Sequence, residues 1–195
     1  MNILICTFYT SNYSNVFYQN LGKWNTSFKN CSFYAATEVC ENWPQDFNIS
    51  RLKNTCIKAA RNIKPDWMIL LPGADCSMIS LPDFQNLNKN YIYIGSKKEN
   101  LSSKSQKCSL HLYGPEVYEN CLYNENFKFF WDDFDFFYNV AKDFKKKHLV
   151  DFFCFHKEHQ SIIEKHPYIK EYSEKEKLLF LDNYKKTHNK DFDIV

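Results

Sequence analysis

The sequence predicts an α/β domain with a mixed, mainly parallel central sheet flanked by helices. Three observations lead there. Short apolar runs alternate with stretches of helical periodicity, the pattern of strand-helix-strand units. The most apolar run, residues 67–71 (Trp-Met-Ile-Leu-Leu), breaks off at Pro72-Gly73, as a buried strand does at a sheet edge. The length, 195 residues at 44% hydrophobic, suits one domain. A chain of this size buries roughly 70% of its unfolded surface and needs no staples.

The elements follow in order. Residues 2–9 are an apolar run that reads as a buried strand, and 10–15 are polar and loop-like. Val16, Phe17, Leu21, Trp24 and Phe28 recur at helical spacing, so 16–29 is a helix. Residues 31–37 read as a second strand, and 42–48, with Pro44, as a loop. Ser50 has the character of an N-cap for an amphipathic helix over 51–63, carried by Leu52, Cys56, Ile57 and Ala60 and stopped by Pro65. After the 67–71 strand, further strands are expected at 91–95 and 108–113, with a polar loop at 100–107. A short helix at 115–121, an amphipathic helix at 133–146, a strand at 151–155 and a charged helix at 173–186 complete the chain.

Composition removes several classes of function. Lys and Arg number 25 against 23 Asp and Glu, a net charge of +2 that gives no support to a nucleic-acid partner. No apolar run approaches the ~20 residues that span a bilayer. The start lacks a basic region followed by a long apolar stretch, so no signal peptide is expected and the protein is expected to be cytoplasmic. The eight Cys include no Cys-x-x-Cys, and reduced, mostly buried thiols are expected. Only 4 Gly, at 22, 73, 95 and 114, cannot build a phosphate-cradling loop, which excludes P-loop kinases and argues against dinucleotide binding.

Three constellations can carry chemistry. Asp75 follows the 67–71 strand after a sharp turn, where a carboxylate either holds a divalent cation or caps the next turn. Asp132, Asp133 and Asp135 follow Phe129, Phe130 and Trp131. Acids at a helix start complement its dipole, while a carboxylate against an apolar wall gains proton affinity and can act as a general base. His156, Glu158 and His159 follow a strand; they are either surface groups or metal ligands, and their spacing does not match the zinc-protease motif.

The order and spacing of these segments resemble the GT-A fold glycosyltransferases, in particular the inverting family 2 and its galactosyltransferase-like relatives. The resemblance rests on Thr7-Phe8-Tyr9, on Arg51 to Ala60 with Asn54, on 67–71 ending in Gly73-Ala74-Asp75, on Trp131-Asp132-Asp133-Phe134-Asp135 and on Phe155-His156-Lys157-Glu158. It covers residues 2 to about 160, so 1–160 is expected to be a GT-A-like (Rossmann-like) domain and 161–195 a helical extension packed on it or tailing it. The resemblance implies that Asp75, at the last position of the family's Asp-x-Asp motif, binds Mn2+ or Mg2+ on the donor diphosphate, with His156 completing the metal shell. Gly73 stands where the family has the first acid. Arg51, Tyr9 and Glu38 are implied on the donor side. Trp131 and Asp132 are implied at the acceptor, with Asp132 where Glu is usual, and Asp133 is implied as the catalytic base. The implied reaction moves a sugar from a nucleotide-diphosphate donor, UDP-sugar favoured, to a glycan or lipid-linked acceptor hydroxyl with inversion, as in polysaccharide biosynthesis.

Three rivals remain at this point. One is a degenerate GT-A domain that binds nucleotide, sugar or a protein partner without catalysis, motivated by Gly73 and Asp132. The second is a nucleotidyltransferase, which should carry a Gly-rich basic loop near its first strand. The third is a plain interaction module. The charged stretch from Lys170 to Lys190 reads as a solvated helix, with docking to a membrane surface or a partner as the alternative.

Overall fold

The computed structural model describes residues 1–10, 14–28, 30–39, 45–73, 76–98, 106–156 and 169–193; for His156 and some others only the backbone is described. Asp75 lies outside the described residues. The elements are β1 (Ile3–Thr10), α1 (Ser14–Ser27), β2 (Cys31–Glu38), α2 (Ile49–Ile63), β3 (Trp67–Leu70), β4 (Cys76–Ser80), β5 (Tyr91–Lys98), β6 (Gln106–Tyr113), α3 (Pro115–Asn120), α4 (Asp132–Asp135), β7 (Lys145–His156) and α5 (Ile169–His188). A π-helical turn, Phe136–Val140, follows α4.

The strands form one seven-stranded sheet in the order β2-β1-β3-β6-β5-β7-β4. The expected α/β class holds, but the sheet is not mainly parallel. β1 runs parallel to β2 and β3, and β5 parallel to β7. The β3–β6, β5–β6 and β4–β7 pairs are antiparallel. The reason is connection length. β1, β2 and β3 are joined through helices that carry the chain back across the sheet, whereas β5 ends at Lys98 and β6 begins at Gln106, too few residues on for a crossover, so the chain reverses.

Alternation along β1 sorts the core into two layers. Leu4, Cys6 and Phe8 face Leu52, Cys56, Ile57 and Ala60 of α2, with Met68, Leu70, Tyr113 and Phe136 in the same cluster. Ile3 and Ile5 face Phe17 and Trp24 of α1, with Ile69, Leu112 and Phe152. The expected apolar stripe of α2 is thus the one that packs.

Four local expectations change. Asn48, not Ser50, caps α2: its Oδ1 accepts from the Arg51 backbone N–H at 2.9 Å, and Ser50 lies buried inside the first turn. β4 is an unexpected strand. It is short and pairs along β7, and Trp24 holds it by donating its indole N–H to the Cys76 carbonyl at 3.1 Å. The helix expected over 133–146 is only α4 and one π-turn, closed by the Ala141 N–H on the Phe136 carbonyl at 2.7 Å. The wider turn sends both Phe136 and Phe137 into the core. β7 then begins at Lys145, well before the expected 151, because its first half pairs with β5 from Tyr91 to Ile94.

Gly114 ends β6 before the Pro115 helix start. A Cβ there would sit 2.2 Å from the Lys89 carbonyl oxygen, a backbone atom that cannot swing away. Gly114→Ala should therefore lower stability by about 1–3 kcal/mol, read as a fall in the urea midpoint.

Candidate functional site

The first turns of α2 follow β2, so they stand beyond the carboxyl ends of β1 and β2, where open α/β sheets bind ligands. Their polar side chains are turned inward. Asn48 Nδ2 donates to the Glu125 carbonyl at 2.8 Å. Asn54 closes a reciprocal pair with Tyr123, accepting its N–H at 2.7 Å and donating to its carbonyl at 2.9 Å. Asn54 Nδ2 also reaches Glu125 Oε1 at 2.9 Å. The Ile49 N–H donates to the Lys128 carbonyl at 2.9 Å. These bonds fasten the irregular stretch 121–131 along α2.

Lys53 lies at the centre and is only 4% exposed. Its Nζ is 2.7 Å from Asp132 Oδ2 and 2.7 Å from Asp133 Oδ1. It also sits 4.7 Å from the centroid of the Tyr123 ring and 6.0 Å from that of Phe8. Tyr123 Oη donates to Asp133 Oδ1 at 3.2 Å and lies 2.8 Å from Tyr113 Oη. His111 Nδ1 is within 3.1 Å of Tyr113 Oη and 3.2 Å of Tyr123 Oη. An Nδ1 that accepts there leaves the ring proton on Nε2, which is buried and has no partner among the described residues.

The charges respond to this crowding. Burial works against the Lys53 ammonium, but the two carboxylates outweigh it and raise its proton affinity. Burial pushes the Asp132 carboxyl up to about 6 in spite of Lys53, with the Asp133 charge adding to the rise. Burial acts the same way on Asp133, yet Lys53, His111 and the hydrogen bonds from Lys53 and Tyr123 prevail and hold it below the usual Asp range. Burial pushes His111 down to about 4, so its ring is neutral. The two acids are therefore unlike: Asp132 takes the first proton, and Asp133 stays ionised. Among the described residues the hydrogen bonds and ion pairs of the Asp133 carboxylate fall on Oδ1, and its side chain keeps 18% of its surface exposed. The Oδ2 of an ionised carboxylate held in this way can take a proton from a bound hydroxyl.

The acidic turn is held from its other side by α5. Glu176, 4% exposed, accepts three successive backbone N–H groups: Lys128 at 2.7 Å, Phe129 at 3.2 Å and Phe130 at 2.7 Å. Trp131 follows in the left-handed region at φ 57, unusual for a bulky residue. Its ring stacks on Phe180 of α5 at 5.6 Å and lies 5.0 Å from Phe134. Asp135 accepts from Asn139 at 2.7 Å and from Asn183 of α5 at 3.1 Å. α5 is therefore a packed helix, not a solvated one. Glu176, Phe180 and Tyr184 form its buried stripe.

The other residues singled out from the sequence separate into groups. Arg51 and Glu38 pair with each other, and Arg51 Nη2 also donates to the Asp46 carbonyl at 3.0 Å. Glu38 Oε2 is buried without a hydrogen-bond partner among the described residues. Tyr9 stacks on Phe17 with centroids 4.7 Å apart, in the layer of α1 and not that of α2. The structure thus joins Asp132 and Asp133, and joins Arg51 and Glu38, but leaves Tyr9 on the opposite face. The His156 backbone pairs with Cys76, the residue after Asp75. Among the described residues no group of three or more His, Cys, Asp or Glu can hold a metal ion. No helix among them is long and apolar enough to cross a membrane.

Lys53, Tyr123, His111 and Glu176 are the site residues that sequence reasoning passed over. Lys53 left a signal. It falls on the apolar stripe of α2, in line with Cys56, Ile57 and Ala60, where an unpaired ammonium is not tolerated.

Two outcomes follow. Glu176→Ala leaves three N–H groups without an acceptor and should cost about 2–4 kcal/mol by urea denaturation, with Glu176→Gln costing less. His111, depressed from 6.5 to about 4, is protonated in the unfolded chain before the native one. Its contribution is present above pH 6.5 and is lost as pH falls toward 4, in all about 3 kcal/mol. His111→Gln should remove that part of the acid sensitivity when denaturation curves at pH 7 and pH 4 are compared.

No protein-family model matches the chain, and no curated protein matches it. Among solved structures, one described as the crystal structure of a glycosyltransferase involved in the glycosylation of the major capsid of PBCV-1 is similar at 10% identity and a TM-score of 0.49, over 88% of this chain and 100% of that one.

Proposed function

We propose that the protein is a glycosyltransferase that moves a sugar from a nucleotide-diphosphate donor to an acceptor hydroxyl by a single inverting displacement, with Asp133 as the base. The observation that carries this reading is the geometry of the Asp133 carboxylate: one oxygen is held by Lys53 and Tyr123, and the side chain keeps 18% of its surface exposed. The sequence resemblance to the GT-A enzymes supports it, because Trp131-Asp132-Asp133-Phe134-Asp135 resembles their acceptor motif, with Asp132 where Glu is usual.

In this mechanism Asp133 takes the proton of the acceptor hydroxyl as that oxygen attacks the anomeric carbon, and the nucleoside diphosphate leaves with the bonding electrons. Asp132 and Trp131 shape the acceptor side. Arg51 and Glu38 are assigned to the donor; Tyr9, on the α1 face, is not. Asp75 and His156 would hold Mn2+ or Mg2+. A carboxylate and an imidazole are a donor set that such ions accept. A bound cation neutralises charge on a leaving diphosphate. Glycans and lipid-linked sugars are the proposed acceptors, with the protein cytoplasmic or peripheral to a membrane.

A second reading, a domain of this kind that binds nucleotide or sugar without transfer, is favoured by Gly73 standing in place of an acid. Thermal unfolding with UDP, GDP and CMP, each with and without Mn2+, and an assay of sugar transfer separate the two. A ligand at 100 times its dissociation constant adds about 2.7 kcal/mol, a rise of several degrees for a chain of this length. The transferase reading expects a nucleotide-selective, Mn2+-dependent rise. It also expects Asp133→Asn to keep that rise while transfer drops at least about a hundredfold. Transfer left intact in Asp133→Asn sinks the base assignment, and binding without transfer by the unaltered chain selects the second reading.

A further inference from the structure

We propose that Lys53 is a positioning residue for Asp133: its ammonium fixes one oxygen of that carboxylate and turns the other outward as the proton acceptor. The inference rests on the glycosyltransferase reading for its purpose, but its geometry stands apart from any substrate. Lys53 Nζ is 2.7 Å from each of Asp132 and Asp133. An exposed pair of long side chains wanders, whereas this ammonium is walled by the Tyr123 and Phe8 rings and has no room to do so.

The stoichiometry of charge explains why one lysine serves two acids. Lys53 alone cancels one of them, so the cluster keeps a net charge of −1. The deeper acid, Asp132, has 6% of its side chain exposed against 18% for Asp133. The proton that relieves the cluster therefore goes to Asp132, and the outer acid remains available. Without Lys53, two neighbouring carboxylates would share a proton between them, and the acceptor oxygen would be occupied part of the time.

Among the described residues, a small set of groups faces Asp133. They are Lys53 from α2, Tyr123 from the stretch after α3, His111 and Tyr113 from β6, and Asp132 beside it, with Glu176 of α5 behind Asp132. Lys53 is the permanent positive charge among them.

The test is a carbon-13 carboxyl NMR titration of the 195-residue chain, unaltered and as Lys53→Met, with aspartate labelled and Asp133 assigned through Asp133→Asn. The expected result is that Asp133 binds its proton about tenfold or more tightly in Lys53→Met. A change of less than about twofold in a folded variant overturns the inference, because Lys53 would then serve packing alone. Should Lys53→Met not fold, the comparison moves to Asp132→Asn against Lys53→Met/Asp132→Asn, which removes an opposite pair together. The same tenfold rise between those two supports the inference, and its absence overturns it. The titration needs no donor sugar. Absence of transfer by the unaltered chain therefore counts against the proposed function and leaves the role of Lys53 to the titration.

Discussion

A buried ammonium between two carboxylates constrains this structure more than any other contact. Lys53 gives up its hydration on α2, and the acids that compensate it lie about eighty residues later in the chain. Neither side is satisfied alone, since a buried charge without its partner costs several kcal/mol. α2 and the acidic turn must therefore arrive together. The neutral bonds of Asn48 and Asn54 align the stretch between them, so one helix serves both as a wall of the core and as the frame of the site. Hydrophobic burial decides that α2 packs on the sheet, and its polar residues decide what else comes to rest beside it.

The acidic turn is restrained in three chemically different ways. Its side chains are held by charge from α2. Its incoming backbone is held by Glu176, and its aromatic residues by Phe180 and neighbouring rings on α5. Trp131 carries backbone strain of order 1–3 kcal/mol, and such strain persists only where the surroundings over-determine it. This left-handed residue leads directly into Asp132 and Asp133, and both acids meet the same ammonium.

Much of the fold was legible in the sequence because the first half of the chain obeys simple periods. Leu52, Cys56, Ile57 and Ala60 recur at helical spacing, and residues 67–71 are apolar enough to declare a buried strand. Legibility fails where residues answer to distant partners. β4 is too short and mixed to signal itself, and Trp24 and β7 define it. Phe136 and Phe137 share a helical period with their neighbours, but they lie in a π-turn that buries both. In α5 the charges hide a stripe of Glu176, Phe180 and Tyr184, because one member of that stripe is itself an acid. The acids of the site were visible as a cluster. Their unequal proton affinities were not, because those arise from Lys53 and from depth, neither of which has a local signature.

The position of Glu176 in the chain also orders events in time. A ribosome delivers the N-terminal residues first, and β1 to β3 with α1 and α2 can begin to pack while later elements are still being made. The stretch 128–130 then waits, with its backbone donors exposed to water, until α5 has left the exit tunnel. The acidic turn thus gains its second set of restraints only once α5 is available. A chain cut before α5 would therefore keep all seven strands in its sequence yet lack the acceptor and the rings that hold the acidic turn.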